Sequence, residues 1–153
     1  MENVRKILEE RRIPFDIIRH KQSIRTAKEG AEVLGIDIGQ TAPALVLKAD
    51  DEYVVLIMSG ARGRIDLEAA AGLLGRGKLV LASRDEVQEA TGYEAGAIPL
   101  VGHTLPCLVD KLLYQYPCIY GGTGEPASTL KLDPGDLSKV NHVLAYLDAD
   151  GIG

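Results

Sequence analysis

Two apolar runs set the strongest limit on how this chain can fold. Ala44-Leu45-Val46-Leu47 and Tyr53-Val54-Val55-Leu56-Ile57-Met58 are β-rich and almost uninterrupted, and the acidic segment Ala49-Asp50-Asp51-Glu52 joins them. A turn of that composition between two such runs predicts a hairpin. Strands without polar alternation are buried on both faces, so this hairpin belongs in the middle of a sheet.

The remaining elements arrange themselves around it. Val4, Ile7 and Leu8 share one face of an amphipathic helix over 2–12, which Pro14 ends. Phe15–Arg19 reads as a short strand, followed by a basic polar loop with His20, Lys21 and Arg25. Thr26-Ala27-Lys28-Glu29 has the form of a capping box and opens a helix over 27–34 that stops at Gly35. Asp66 caps a Leu- and Ala-rich helix to Leu74, residues 78–81 return to β character, and Ser83-Arg84-Asp85-Glu86 opens a helix ending at Gly92. Glycines and prolines then punctuate residues 91–106, whose Ile98, Leu100, Val101 and Leu105 predict an ordered, packed loop. Strands are expected over 107–109, 118–120 and 129–132, and Asp133-Pro134 starts a terminal helix that includes His142. The pattern is that of one α+β domain over residues 1–153, long enough to build a core without disulfide or metal staples.

Composition excludes several functions. A formal net charge of −5 argues against a protein that grips nucleic-acid phosphates over its whole face. The charge is uneven, however: residues 1–28 carry eight Lys and Arg against four Asp and Glu, which leaves room for a local contact. Cys107 and Cys118 have no Cys or His neighbours at ligand spacing, so neither a zinc site nor a redox pair is expected and no cofactor is implied. With no apolar stretch approaching the roughly eighteen residues of a membrane span, the chain reads as soluble and cytoplasmic, with no membrane partner. One Phe, six Tyr and no Trp are too few aromatics for a stacking platform.

Gly72–Lys78 fits G-x-x-x-x-G-K, but Leu79 replaces the hydroxyl that Mg²⁺ needs, and here a helix ends where a phosphate loop would begin one. It reads as a helix stop. Gly121-Gly122-Thr123-Gly124 lies between two strands and is either a hairpin turn or a cradle of backbone amides for a carbonyl or phosphate oxygen. His20, His103 and His142 accompany no nucleophile motif, so they form no recognisable triad in the sequence. Both cysteines read as small buried hydrophobes. Lys48 reads as a strand terminus, while Arg62 and Arg64 either bind an anion or face water.

The order of these pieces resembles the YbaK and prolyl-tRNA-synthetase-associated domain family of aminoacyl-tRNA editing hydrolases. Ile13-Pro14-Phe15 with His20, Ala31–Ile36, Arg64-Ile65-Asp66-Leu67, Thr91-Gly92-Tyr93-Glu94-Ala95-Gly96 with Pro99, Ile119–Gly124, and Asp136-Leu137 carry the resemblance in sequence order. It implies a mixed, barrel-like β-sheet with surrounding helices and hydrolysis of the ester between a wrongly attached amino acid and the 3′ end of tRNA. It further implies an aminoacyl-tRNA 3′ end as partner, and an aminoacyl-tRNA synthetase as a second possible one. The implied site has Gly122 and Thr123 as oxyanion donors, with His20, Pro43, Tyr93, Gly96, Pro99, His103, Gly121, Gly124 and Thr129 around the substrate. His103 would stand at the ribose or phosphate end.

One departure bears on chemistry. The family carries a lysine followed by Thr-Leu or Asn-Leu at the first hairpin strand, where this chain has Pro43-Ala44-Leu45. Proline supplies neither charge nor a backbone donor. Lys48 lies five residues on, which in a regular strand puts it on the opposite face. A rival expectation follows: a binding module of the same fold that recognises an aminoacyl-tRNA end, an amino acid or a protein without hydrolysis.

Overall fold

The computed structural model describes residues 1–24, 26–63 and 65–148; Arg25, Arg64 and residues 149–153, named above in the basic loop, the Arg64–Leu67 motif and the domain span, lie outside the described residues. In chain order the elements are α1 (Glu2–Glu10), β1 (Phe15–Arg19), α2 (Ala27–Leu34), β2 (Thr41–Ala42), β3 (Ala44–Ala49), β4 (Glu52–Ile57), α3 (Leu67–Leu74), β5 (Val80–Leu81), α4 (Arg84–Thr91), β6 (Cys107–Asp110), β7 (Ile119–Gly121), β8 (Ser128–Leu132), α5 (Leu137–Val140) and β9 (Val143–Leu147).

The hairpin β3–β4 pairs without a break from Ala44↔Ile57 to Ala49↔Glu52, with Asp50 left-handed at φ 56° in its turn. Its place is central: the sheet order is β5-β3-β4-β6-β9, with β4, β6 and β9 running parallel. The near-continuous apolar sequence has a direct cause. Val46, Val55 and Ile57 point into one core, while Leu47, Val54 and Leu56 point into another, where Ala70 and Ala71 of α3 cover them.

A second sheet has the order β1-β8-β7-β2, antiparallel except for the β2–β7 pair. Its Ala42, Ile119, Leu130 and Leu132 share the first core with Val46, Val55, Ile57 and Val109, so that core lies between the two sheets. The strands therefore form two mixed sheets, and among the described residues no closed barrel. Pro43 stands where the chain crosses from one sheet to the other, between β2 and β3.

Local signals mostly behave as expected. Ser83 and Glu86 form a reciprocal capping box, and Gly75 ends α3 in the left-handed conformation at φ 68°. Thr26 forms only half of its box, accepting from the Glu29 N–H at 3.1 Å. The terminal helix is the main correction. A 3-10 turn (Pro134–Asp136) leads into the four-residue α5, and the chain then becomes β9. Asn141 ends the helix in extended geometry while its side-chain amide donates to the Leu100 carbonyl at 2.9 Å, and the apolar run that follows pairs with β6. His142 accordingly sits exposed before a strand, not in a helix.

Arg62 is neither an anion ligand nor a solvent-facing group. Its Nε and Nη2 donate to the two Asp110 carboxylate oxygens at 2.7 Å each, and Nη2 also reaches the Asp148 carbonyl at 2.6 Å. Asp110 has no exposed side-chain surface and accepts further from the Ser59 and Leu112 amides at 3.0 and 2.9 Å. This pair ties the end of β4 to β6 and to the chain after β9. Breaking one partner of a buried ion pair leaves the other uncompensated, so Asp110→Asn is expected to cost about 3–5 kcal/mol of stability in urea unfolding.

Candidate functional site

The β2–β3 crossing borders a cavity of about 220 Å³. Its walls come from α2, the crossing at Pro43, the 96–98 segment and the chain from Tyr120 to Thr129. Ile24, Leu34, Ala42, Leu45 and Ile98 make the lining largely apolar, and Thr26, Thr41, Ser128, Thr129 and Tyr120 add hydroxyls. Among the described lining residues the one charged side chain is Glu125.

Strand pairing explains why distant residues meet here. The β1–β8 register places Ile18 opposite Thr129 and Arg19 opposite Ser128, and the His20 amide continues it by donating to the Ala127 carbonyl at 2.7 Å. His20 Nε2 then lies 2.7 Å from the Thr129 hydroxyl, which lines the cavity from a buried position. The parallel pairing of Ala42 with Gly121 brings the glycine turn beside Pro43.

The glycine turn is packed, not loose. A Cβ on Gly122 would stand 2.2 Å from the Ile98 carbonyl oxygen, and one on Gly121 would meet Leu100 at 2.5 Å. The Gly122 carbonyl accepts from the Leu100 amide at 3.0 Å, so the turn and the 96–100 loop are held together by backbone. Gly124, at φ 97°, packs against the Tyr93 ring. Thr123 is fully buried; its hydroxyl accepts from the Glu125 amide at 3.1 Å and sits 2.5 Å from the Ser128 hydroxyl.

The structure therefore brings Pro43, Gly96, Gly121, Gly122 and Thr129 to one cavity, with His20 attached through Thr129. Tyr93, Pro99, Thr123 and Gly124 form the layer behind it and are not in the lining. His103 is placed elsewhere, and the expectation of a ribose or phosphate contact is corrected. It is 1% exposed, its Nδ1 accepts from the Leu105 amide at 3.1 Å, and its Nε2 lies 3.3 Å from Cys107 Sγ. Burial, partly offset by Asn141, lowers its pKa to about 4, and burial pushes the Cys107 thiol up to about 12. Both are neutral core groups, not a nucleophile and its base.

Lys48 does not replace the missing cation. The unbroken β3–β4 register preserves the odd spacing, and Lys48 Nζ pairs with Glu86 Oε2 at 2.6 Å outside the cavity lining. Among the described residues no cluster of His, Cys, Asp and Glu could hold a metal ion, and no helix is long and apolar enough to cross a membrane. Sequence reasoning missed Thr41, Tyr120, Glu125 and Ser128. For Glu125 and Ser128 the available signal was the run of small and polar residues immediately after the glycine turn.

Comparison with known proteins adds to this geometry. The family model for the aminoacyl-tRNA editing domain matches residues 21–140. The chain is 33% identical over 106 residues to the multifunctional Ser/Thr-tRNA deacylase ProXp-y of Escherichia coli K12, covering 66% of this chain and 63% of that protein. It is 29% identical over 105 residues to a proline–tRNA ligase of Thermosipho melanesiensis, covering 67% of this chain but 18% of the ligase. The chain thus spans less than a fifth of the length of that ligase. A crystal structure of a candidate trans-editing enzyme for prolyl tRNA synthetase superposes with a TM-score of 0.83 and 32% identity, over 94% of this chain and 92% of that one. A hypothetical protein of known structure gives a TM-score of 0.86 at 23% identity, over 94% and 97% of the two chains, and shows the fold alone.

The buried His103 makes stability depend on pH. Its folded pKa near 4 lies below the ordinary 6.5, so the unfolded chain takes up a proton in that window that the folded chain refuses. Stability is expected to fall as pH drops from about 6.5 to about 4, by about 3 kcal/mol at the lower end. Urea titrations across this range check it, with His103→Gln flattening that part of the slope.

Proposed function

Because the chain belongs to the aminoacyl-tRNA editing domain family, we propose that it hydrolyses the ester between an amino acid and the 3′-terminal adenosine of a mischarged tRNA. The observation that carries this reading is the convergence on one cavity of three segments far apart in sequence, at Pro43, at Gly96 and at Gly121, Gly122 and Thr129. A volume of about 220 Å³ is below the roughly 300–1,000 Å³ of drug-sized sites and suits an aminoacyl group with a small side chain.

An aminoacyl ester is activated, so the protein's task is to orient it and stabilise the charge that develops on its carbonyl oxygen. Water attacks the carbonyl carbon as it gives up a proton, the bond to O3′ breaks, and O3′ takes a proton, which the neighbouring ribose hydroxyl relays. Hydrolysis leaves a free amino acid and an intact tRNA end. The Gly122 amide, in the cavity lining, is the proposed oxyanion donor, and the buried Thr123 holds the turn behind it. Thr129, held by His20 at 2.7 Å, directs a hydroxyl at the substrate. The tRNA phosphates run along the basic segment from Arg19 to Lys28, whose Ile24 and Thr26 belong to the cavity wall.

Pro43 favours a second reading, a binding module that recognises the aminoacyl end without hydrolysis, since it puts an apolar ring where the family carries lysine. Release of labelled amino acid from a panel of mischarged tRNAs separates the two. Hydrolysis predicts release from at least one tRNA, slowed about 10- to 100-fold by Thr129→Val. Binding with no release supports the second reading. Thr129→Val is a cleaner probe than a branched residue at Gly122, which would drive a side chain into the Ile98 carbonyl.

Two further outcomes follow from the cavity and its margin. Pro43→Lys is expected to raise release from at least one mischarged tRNA, because residue 43 lines the cavity and proline's missing N–H carries no structural bond there. A slower Pro43→Lys variant of an already efficient enzyme would assign the carbonyl to the Gly122 amide. Arg19→Glu with Lys21→Glu, both at exposed positions, is expected to weaken tRNA binding and flatten its salt dependence; an unchanged slope moves the contact to another surface.

A further inference from the structure

Resting on the deacylase reading, we propose that Glu125 recognises the free α-ammonium of the aminoacyl ester, so that the protein selects aminoacyl-tRNA over N-acylated species such as peptidyl-tRNA. The argument starts from the charge of the cavity. Its described lining holds hydroxyls, apolar groups and a single carboxylate, and the residue that the family resemblance would make a lysine is Pro43. A site of that composition lacks what a phosphate needs. It has instead a counter-charge for a cation.

The aminoacyl ester brings such a cation within a few bonds of its reacting carbon. An α-amino group is largely protonated at neutral pH. Moving an ammonium from water into a mostly apolar cavity is costly unless a partner compensates the charge, which neutral hydroxyls do only in part. Glu125 stands at the exposed margin, so its carboxylate remains hydrated until the ligand arrives. No salt bridge among the described residues engages it.

Its backbone is nevertheless fixed in place. The Glu125 amide donates to the Thr123 hydroxyl at 3.1 Å, and its carbonyl accepts from the Ser128 amide at 3.2 Å and from the Thr123 and Ser128 hydroxyls at 3.3 Å each. The turn that carries Glu125 therefore also carries Thr129 and follows directly on the Gly122 amide. An ester carbonyl held at that amide presents its α-carbon substituents to the same turn. An N-acyl group replaces the ammonium with a bulkier neutral amide and leaves the carboxylate without its charge partner.

Calorimetric binding of two non-hydrolysable probes tests this, 3′-alanylamino-3′-deoxyadenosine and its N-acetyl derivative. The natural protein is expected to bind the free amine about tenfold more tightly, as a hydrogen bond to a charged group warrants. Glu125→Gln should bring the ratio of the two affinities close to one, and Glu125→Asp should keep part of the preference. Equal affinities in the natural protein, or a preference that survives Glu125→Gln, overturn the role of Glu125 and leave the deacylase reading standing. Binding of neither probe contradicts that reading, and the proposal with it.

Discussion

The parallel pairing of Thr41 and Ala42 with Tyr120 and Gly121 is the contact on which the rest of the arrangement depends. These two residue pairs are all that holds β2 in the four-stranded sheet, and Pro43 immediately turns the chain into β3 of the other sheet. The shared core fills the space between the sheets, and the cavity opens where they meet. Its polar wall is the glycine turn, pressed so closely on the 96–100 loop that Gly122 has no room for a side chain. A donor that cannot shift is what oxyanion stabilisation requires, because no reorganisation is then needed as charge develops.

Charge is distributed in two ways. In the interior, Arg62 and Asp110 neutralise each other with near-complete hydrogen bonding, and His103 and Cys107 remain uncharged. These groups are committed to the fold. The cavity, by contrast, is lined by the hydroxyl residues Thr41, Ser128 and Thr129, each already bonded to a neighbour, and by one acidic residue, Glu125, at its exposed margin. In the proposed function the substrate supplies the missing positive charge through its own ammonium, and a backbone amide takes the role that a lysine would otherwise fill.

Much of this was legible because it rests on local physics. The hairpin followed from two apolar runs and an acidic turn, and the stops at Gly35, Gly75 and Gly92 from glycine's tolerance of left-handed backbone, with φ of 66°, 68° and 78°. What failed was set by distant partners. A two-residue strand such as β2 has no periodicity to read and exists because β7 is there. Strand β9 was absorbed into a helix because the Asp133-Pro134 start is clear in sequence, whereas its stop at Asn141 depends on a hydrogen bond to Leu100, 41 residues earlier. His103 in a Gly/Pro loop reads equally as ligand or filler, and only the depth of the fold around it decides. The motif order located the cavity's glycines and Thr129, but not Glu125, whose significance comes from the absence of other charge around it.

The central claim is that an aminoacyl-adenosine end sits in the cavity between the two sheets. Amide chemical-shift mapping of the labelled protein, titrated with 3′-seryl- or 3′-threonylamino-3′-deoxyadenosine, addresses it most directly. The account predicts the largest shifts at Gly96, Gly121, Gly122 and Thr129, with His20 following through its bond to Thr129. Saturable shifts confined to another surface, such as the depression lined by Pro14, Phe15 and Lys131, would contradict it.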